Sequence, residues 1–153
     1  MIRVAEWSDV DALVALGEAL HRESPVFRGR HFCGQKVRKV LVEMIAGSGV
    51  VFISEQEGRV NGAMLGFVQA DWFGHDLTAC ELCLFVLPGS RGAGIAHALV
   101  CAFEQWAELM GACLVSVGVS TGINTEVAAG VYESMGYVGG SMLLNKEIAH
   151  VRT

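Results

Sequence analysis

Residues 86–96 read Val86-Leu87-Pro88-Gly89-Ser90-Arg91-Gly92-Ala93-Gly94-Ile95-Ala96 and join an apolar run to a segment of helical spacing. A strand that is apolar along its whole length needs cover on both faces, which points to an α/β arrangement. Glycines at a strand-to-helix junction let the backbone take left-handed angles and approach a ligand closely. The free N–H groups at the helix start, with its dipole, favour a phosphate or pyrophosphate, and Arg91 can add a forked charge. Two common phosphate loops are excluded. The pattern GxxxxGK[ST] needs a Gly-Lys pair, and the chain has none. A dinucleotide fingerprint needs a third glycine and an acid about 20 residues on; here His97 takes the glycine position and Cys113-Leu114-Val115 carries no acid.

Along the chain, residues 2–5 form a short apolar start, and Ser8-Asp9-Val10-Asp11 has the form of a capping box. Val10, Leu13, Val14, Gly17 and Leu20 share one helical face, and Ser24-Pro25 ends that helix. A second helix is predicted over 37–45, strands over 50–54 and 59–70 around a Glu57-Gly58 turn, and a loop over 72–76. Buried strands are expected over 79–87 and 113–119. Between them a helix over 93–110 turns Ala98, Leu99, Ala102, Phe103, Trp106 and Met110 inward and is closed by Gly111. A helix over 124–135, with Val127, Val131 and Met135 inward, precedes strands at 137–138 and 141–144. The order is β-α-α-β-β-β-α-β-α-β in a single domain over residues 1–153.

Composition narrows the function. Hydrophobic residues are 52% and charged residues 18%, too apolar for a disordered chain. No apolar run is long enough to span a bilayer, and the N-terminus lacks the pattern of a signal peptide. A net charge of −5 argues against a general nucleic-acid binder. Five cysteines, an odd number, suit reduced thiols and a cytoplasmic location. Cys80 and Cys83 form a lone CxxC on a strand, where positions three apart face opposite sides, so a metal is not expected. The apolar excess suggests a subunit interface, and hence a homodimer.

Arg91-Gly92-Ala93-Gly94-Ile95-Ala96 also fits the acetyl-CoA loop Arg/Gln-x-x-Gly-x-Gly/Ala. Downstream stands Asn124-x-x-x-Ala128-x-x-x-Tyr132-Glu133-x-x-Gly136-Tyr137, and upstream Ile2-Arg3-Val4-Ala5 with Asp9. With these blocks in order, the chain resembles the GNAT family of N-acetyltransferases over nearly its whole length, in the manner of short bacterial and phage members. The resemblance implies a mixed, mostly antiparallel sheet flanked by helices, in which a parallel strand pair splays apart to admit acetyl-CoA. It implies acetyl transfer to a primary amine by direct attack in a ternary complex. The alternative is a non-catalytic acyl-CoA-binding or regulatory module with the same fold.

On that resemblance Val86 and Leu87 offer backbone groups to the cofactor arm, and Arg91, Gly92, Ala93, Gly94, Ile95 and Ala96 hold the pyrophosphate. Asn124 bonds the arm. Tyr132 protonates the departing thiolate, and Glu81, the one charge in its apolar strand, is the candidate base. Trp72 and Phe73 fall where the family's acceptor cleft opens. Residues 22–39 hold Arg22, Arg28, Arg30, Lys36, Arg38 and Lys39 against Glu23 alone. That local surplus suits an amine acceptor, a small molecule or peptide, that bears negative charge.

Overall fold

The structure, a computed structural model, describes residues 1–148. Strands β1 (Ile2–Val4), β2 (Val50–Gln56), β3 (Arg59–Ala70), β4 (Leu77–Val86) and β5 (Ala112–Ser116) lie side by side in chain order. The first four are antiparallel and β4–β5 is parallel. Helices α1 (Val10–Glu23) and α2 (Gly34–Glu43) cover one face, packing Leu13, Leu16, Leu20 and Leu41 against Ile53, Ala63 and Phe85. Helices α3 (Ile95–Leu109) and α4 (Thr125–Ser134) cover the other, where Leu99, Val100, Phe103 and Tyr132 meet Phe52, Met64, Ala79 and Val86. This is the mixed sheet expected from the sequence. No helix among the described residues is long and apolar enough to cross a membrane.

Local chemistry sets the ends of these elements. Pro25 disfavours helical angles at Ser24, and α1 stops there. Glu57 and Gly58 both have positive φ and turn β2 into β3. Arg3 bonds both Asp9 oxygens, at 2.8 and 3.0 Å, and also Glu55, so the chain start is tied to β2 and to the start of α1.

Several expectations are corrected. The strands expected at 137–138 and 141–144 are not formed: residues 137–148 have no regular structure. Among the described residues strand β5 therefore pairs only with β4, and Leu114 is 59% exposed on what was expected to be a buried strand. The buried face of α3 is Leu99, Val100, Phe103 and Ala107, with Met110 exposed. In α4 Tyr132 is buried, whereas Val127 is exposed.

The most consequential correction is a bulge in β4. Leu65 pairs with Cys83 but Gly66 pairs with Glu81, so Leu82 is the extra residue. Side-chain parity reverses across it: Ala79 belongs to the α3 side and Phe85 to the α1 side. Cys80, opposite Phe67, and Cys83, opposite Leu65, thus share a face instead of diverging. Both are free thiols, and no cluster of potential metal ligands occurs among the described residues. Gly66 makes room for Phe103 opposite the bulge, since a Cβ there would lie 2.3 Å from its ring.

Candidate active site

Beyond the Cys80–Ser116 pair, β4 and β5 separate. Gly118 follows β5, and its N–H donates to Glu81 Oε2 at 3.1 Å across the opening. Burial pushes the Glu81 carboxyl up to about 7, opposed by that one hydrogen bond. Cys83 next to it is pushed up to about 12, by burial first and then by the Glu81 charge. At neutral pH the thiol is protonated and the carboxyl is poised to exchange a proton.

The gap widens into a cleft of about 290 Å³ between β4, the glycine loop and α4. The Leu87 N–H donates to Asn61 O at 2.8 Å while Val86 pairs with Gly62. Antiparallel alternation then turns the N–H and C=O of Val86 away from β3 and into the gap. Arg91 Nε takes that carbonyl at 2.8 Å.

After the turn Pro88–Ser90 the loop passes through Gly92 (φ +83°) and Gly94 (φ +77°), where a Cβ would meet nothing within 4 Å. Their role is conformational: they aim the start of α3. Helix α3 has no side-chain cap, and its first closing bond is Ala98 N to Gly94 O at 3.0 Å. The N–H groups of Ile95, Ala96 and His97 therefore have no partner within the helix, and these three residues line the cleft. A pyrophosphate fits this row of donors.

Asn124 also lines the cleft, in the N-cap position of α4 with φ +43° and no capping bond from its side chain. A non-glycine residue in the left-handed region is strained, and here its amide is left available to a ligand. Val127, Ala128 and Val131 supply an apolar wall. Their exposure explains the misread face of α4: those apolar side chains face the cleft rather than the core.

The sequence-predicted cofactor residues Val86, Arg91, Gly92, Gly94, Ile95, Ala96 and Asn124 all border this cleft, whereas Leu87 and Ala93 do not. The Leu87 N–H is consumed by Asn61, and its side chain packs toward α1. Arg91 is placed differently from a free phosphate ligand. Its two terminal nitrogens grip Glu23 at 2.7 and 2.8 Å, and its guanidinium lies over Phe85. Arg91 thus braces the loop against the end of α1. Ser24, the next residue, is fully buried; its hydroxyl donates to Thr121 O and accepts from Val26 and Phe27 N–H. Glu23 and Ser24 together tie both walls of the cleft to α1. Sequence reading missed this joint, because neither residue carries a motif.

Tyr132 is 5% exposed, beneath the cleft wall, with its ring 5.4 Å from that of Tyr137. Burial raises its phenol above the ordinary value, and the charges of Glu81, Tyr137 and Cys83 act in the same direction. It is therefore a neutral proton holder throughout the physiological range. Trp72 and Phe73 are exposed in the loop before β4, at the opposite end of that strand from Val86, about 30 Å away at ordinary strand rise. The expectation that they stand at the acceptor opening is thus not met.

A glycine loop at a helix start thus stands beside a splayed parallel pair in a mostly antiparallel sheet. A family model described as the acetyltransferase (GNAT) domain matches residues 47–139, more than half of the chain, and the protein belongs to the GNAT acetyltransferases. No protein of curated function matches it in sequence. Among solved structures it is similar to an acetyltransferase of Trypanosoma brucei (TM-score 0.74, 19% identity, 97% of this chain and 99% of that one). It is also similar to the aminoglycoside N-acetyltransferase AAC(6')-Iy in complex with CoA (TM-score 0.78, 17% identity, 97% and 93%). A transcriptional regulator from Bacillus halodurans has the same shape (TM-score 0.80, 16% identity, 97% and 99%). At such identities the likeness is one of fold.

Proposed function

We propose that the protein transfers the acetyl group of acetyl-CoA to a primary amine by direct attack within a ternary complex. The observation that carries this reading is the splay of β4 from β5, with the Val86 backbone turned into it and the unpaired helix-start N–H row at its mouth. The donors of residues 95–97 hold the pyrophosphate, Asn124 bonds the pantetheine arm, and Arg91 fixes the loop through Glu23. The Val86 N–H polarises the thioester carbonyl, a role that needs only backbone.

Glu81 takes the proton of the incoming ammonium, which lets the nitrogen bond to the acetyl carbon. The carbon–sulfur bond breaks, the Tyr132 hydroxyl gives its proton to the departing thiolate, and the second proton of the nitrogen, acidic once the acetyl group is attached, returns to Tyr132 as the neutral amide forms. Cys83, held protonated, is a poor nucleophile, which supports direct transfer over a covalent acetyl-enzyme.

One observation favours the second reading, a non-catalytic acyl-CoA module: the Tyr132 ring lies under the cleft wall rather than on it. Calorimetry with acetyl-CoA and thiol release with an amine panel separate the two. Tight binding with no release for any amine supports the module. Binding of ATP or NAD above acetyl-CoA defeats both. We further propose a homodimer, supported by the exposed apolar side chains of Leu114 on the β5 edge and of Trp72, Phe73 and Leu109, and a cytoplasmic location, supported by five free thiols. Sedimentation tests the dimer.

A further inference from the structure

A second cavity, of about 390 Å³, lies between α1, α2 and the β3–β4 face, and it meets the cofactor cleft at Phe85, which lines both. Leu82 and Cys83 reach it from the β4 bulge, while Glu81, the residue before them, pairs with Gly66 and lines neither space. Its walls are almost wholly apolar, from residues such as Leu16, Val40 and Leu65, and they contain no aspartate or glutamate. The ionisable side chains that reach the cavity, other than the thiols, are His21, His31 and Lys36. Around them Arg22, Arg28 and Arg30 are exposed and form no ion pair among the described residues, whereas Arg38 is bound to Asp11 and Lys39 to Glu43. The basic segment is thus divided: two cations are paired, and the rest have no ion-pair partner among the described residues.

We infer that the acceptor is a primary amine on an apolar body, neutral or anionic elsewhere, seated in the cavity between α1, α2 and the β3–β4 face with its nitrogen at Phe85. The inference rests on the acetyltransferase reading above and narrows it. A polyamine or aminoglycoside would bury further ammonium groups against apolar walls without a carboxylate to meet them, next to like charges. An arylalkylamine, or the α-amine of a large apolar amino acid, puts hydrocarbon on hydrocarbon, and a carboxylate on it would face Lys36. The fold neighbour that acetylates aminoglycosides does not share its substrate class with this chain on this reading.

The test compares 2-phenylethylamine and phenylalanine with spermidine and kanamycin, by thiol release and by ligand-observed NMR of binding to the protein with CoA bound. Phenylethylamine is expected to exceed spermidine and kanamycin in kcat/KM by about 100-fold. Gly17→Leu supplies the cavity control. Gly17 lies mid-α1 on the cavity wall, and a Cβ there makes only an ordinary 3.6 Å contact with Val37, so leucine fills the space while favouring the helix. It should raise KM for phenylethylamine about tenfold and leave the acetyl-CoA affinity unchanged. Lys36→Glu should weaken phenylalanine and improve spermidine.

Faster turnover of spermidine or kanamycin, or a Gly17→Leu variant with unchanged KM, overturns the inference and leaves the acetyltransferase reading standing. Binding of phenylethylamine, abolished by Gly17→Leu, without thiol release from any amine defeats the acetyltransferase reading and keeps the cavity's selectivity. Absence of binding by either apolar amine overturns the inference.

Discussion

The cofactor cleft and the acceptor cavity share Phe85 and are built on opposite plans. The polar groups of the cleft come mainly from backbone, from two left-handed glycines, an uncapped helix start and a strand whose peptide groups turn into a gap, against an apolar wall from α4. The cavity is made by side chains from four elements, with scarcely a polar atom on its walls. A backbone site binds what every homologous fold can bind. A side-chain site is free to change its ligand while the scaffold stays fixed. Substitutions therefore separate them. Side-chain truncation around the cleft should matter little outside Asn124, Arg91 and the groups that move a proton, and changes of backbone conformation should matter greatly.

The largest expected effect is on chemistry. Tyr132→Phe removes one oxygen from a buried ring, so the fold and the acetyl-CoA affinity hold. On the acid assignment kcat falls by about 100-fold or more, with KM for the amine unchanged. Rapid thiol-release kinetics reads this directly. Unchanged kcat returns Tyr132 to the core and favours the binding module.

Next comes the backbone. Gly94→Val puts a β-branched residue at φ +77°, where the strain is large although space is open. The start of α3 must then turn, and acetyl-CoA should bind about 30-fold or more weakly by calorimetry. Ser90→Ala, also on the cleft wall, should leave affinity within about twofold. Equal losses from the two would break the contrast drawn above.

The same contrast explains what could be read from the sequence. A backbone site is contiguous, so Arg91 to Ala96, Asn124 and Tyr132 were visible as motifs, and so were the strand–helix order as far as α4 and the glycine ends of α3 and α4. A cavity assembled from α1, α2, β3 and β4 has no contiguous signature. Parity counting failed at Leu82 because one extra residue reverses every side chain beyond it, and no residue type announces a bulge. Apolar periodicity misjudged α4 because it cannot tell a face that meets the core from one that lines a cleft. Arg91 was read as a phosphate ligand from its position in the loop, while its partner Glu23 stands 68 residues earlier.

A third, smaller effect is a matter of pH. With Glu81 titrating near 7, kcat/KM should rise with pH through that value and level off above it. Glu81→Gln should lower activity about tenfold at pH 8 and flatten the profile. The stability sign is opposite. The raised value means that the fold prefers the protonated carboxyl, so the wild type loses stability as pH rises from the ordinary carboxylate range through about 7. The variant escapes that loss, and its melting temperature should gain on the wild type between pH 5 and 8. A shared inflection in both proteins removes Glu81 from the base role.

The smallest effect falls at the joint between the two regions. Glu23 bonds Arg91 of the cleft loop, and Ser24 bonds Thr121 beyond β5, while both end the helix that forms a cavity wall. Glu23→Gln keeps the size and one acceptor but removes the charge. The pair is partly exposed, 28% and 30%, so its loss should cost only about 1 kcal/mol of stability. Arg91 holds the Glu23 carboxyl below its ordinary value, so this stabilisation is present at neutral pH and disappears as pH falls through that lowered value. The melting temperatures of wild type and variant should therefore converge in acid. With the brace loosened, acetyl-CoA should bind a few-fold more weakly at neutral pH, and phenylethylamine should weaken with it, since one helix end holds both walls. Loss of acetyl-CoA affinity with amine binding intact would mean that Glu23 serves the cleft alone and that the two sites, although they share Phe85, are mechanically separate.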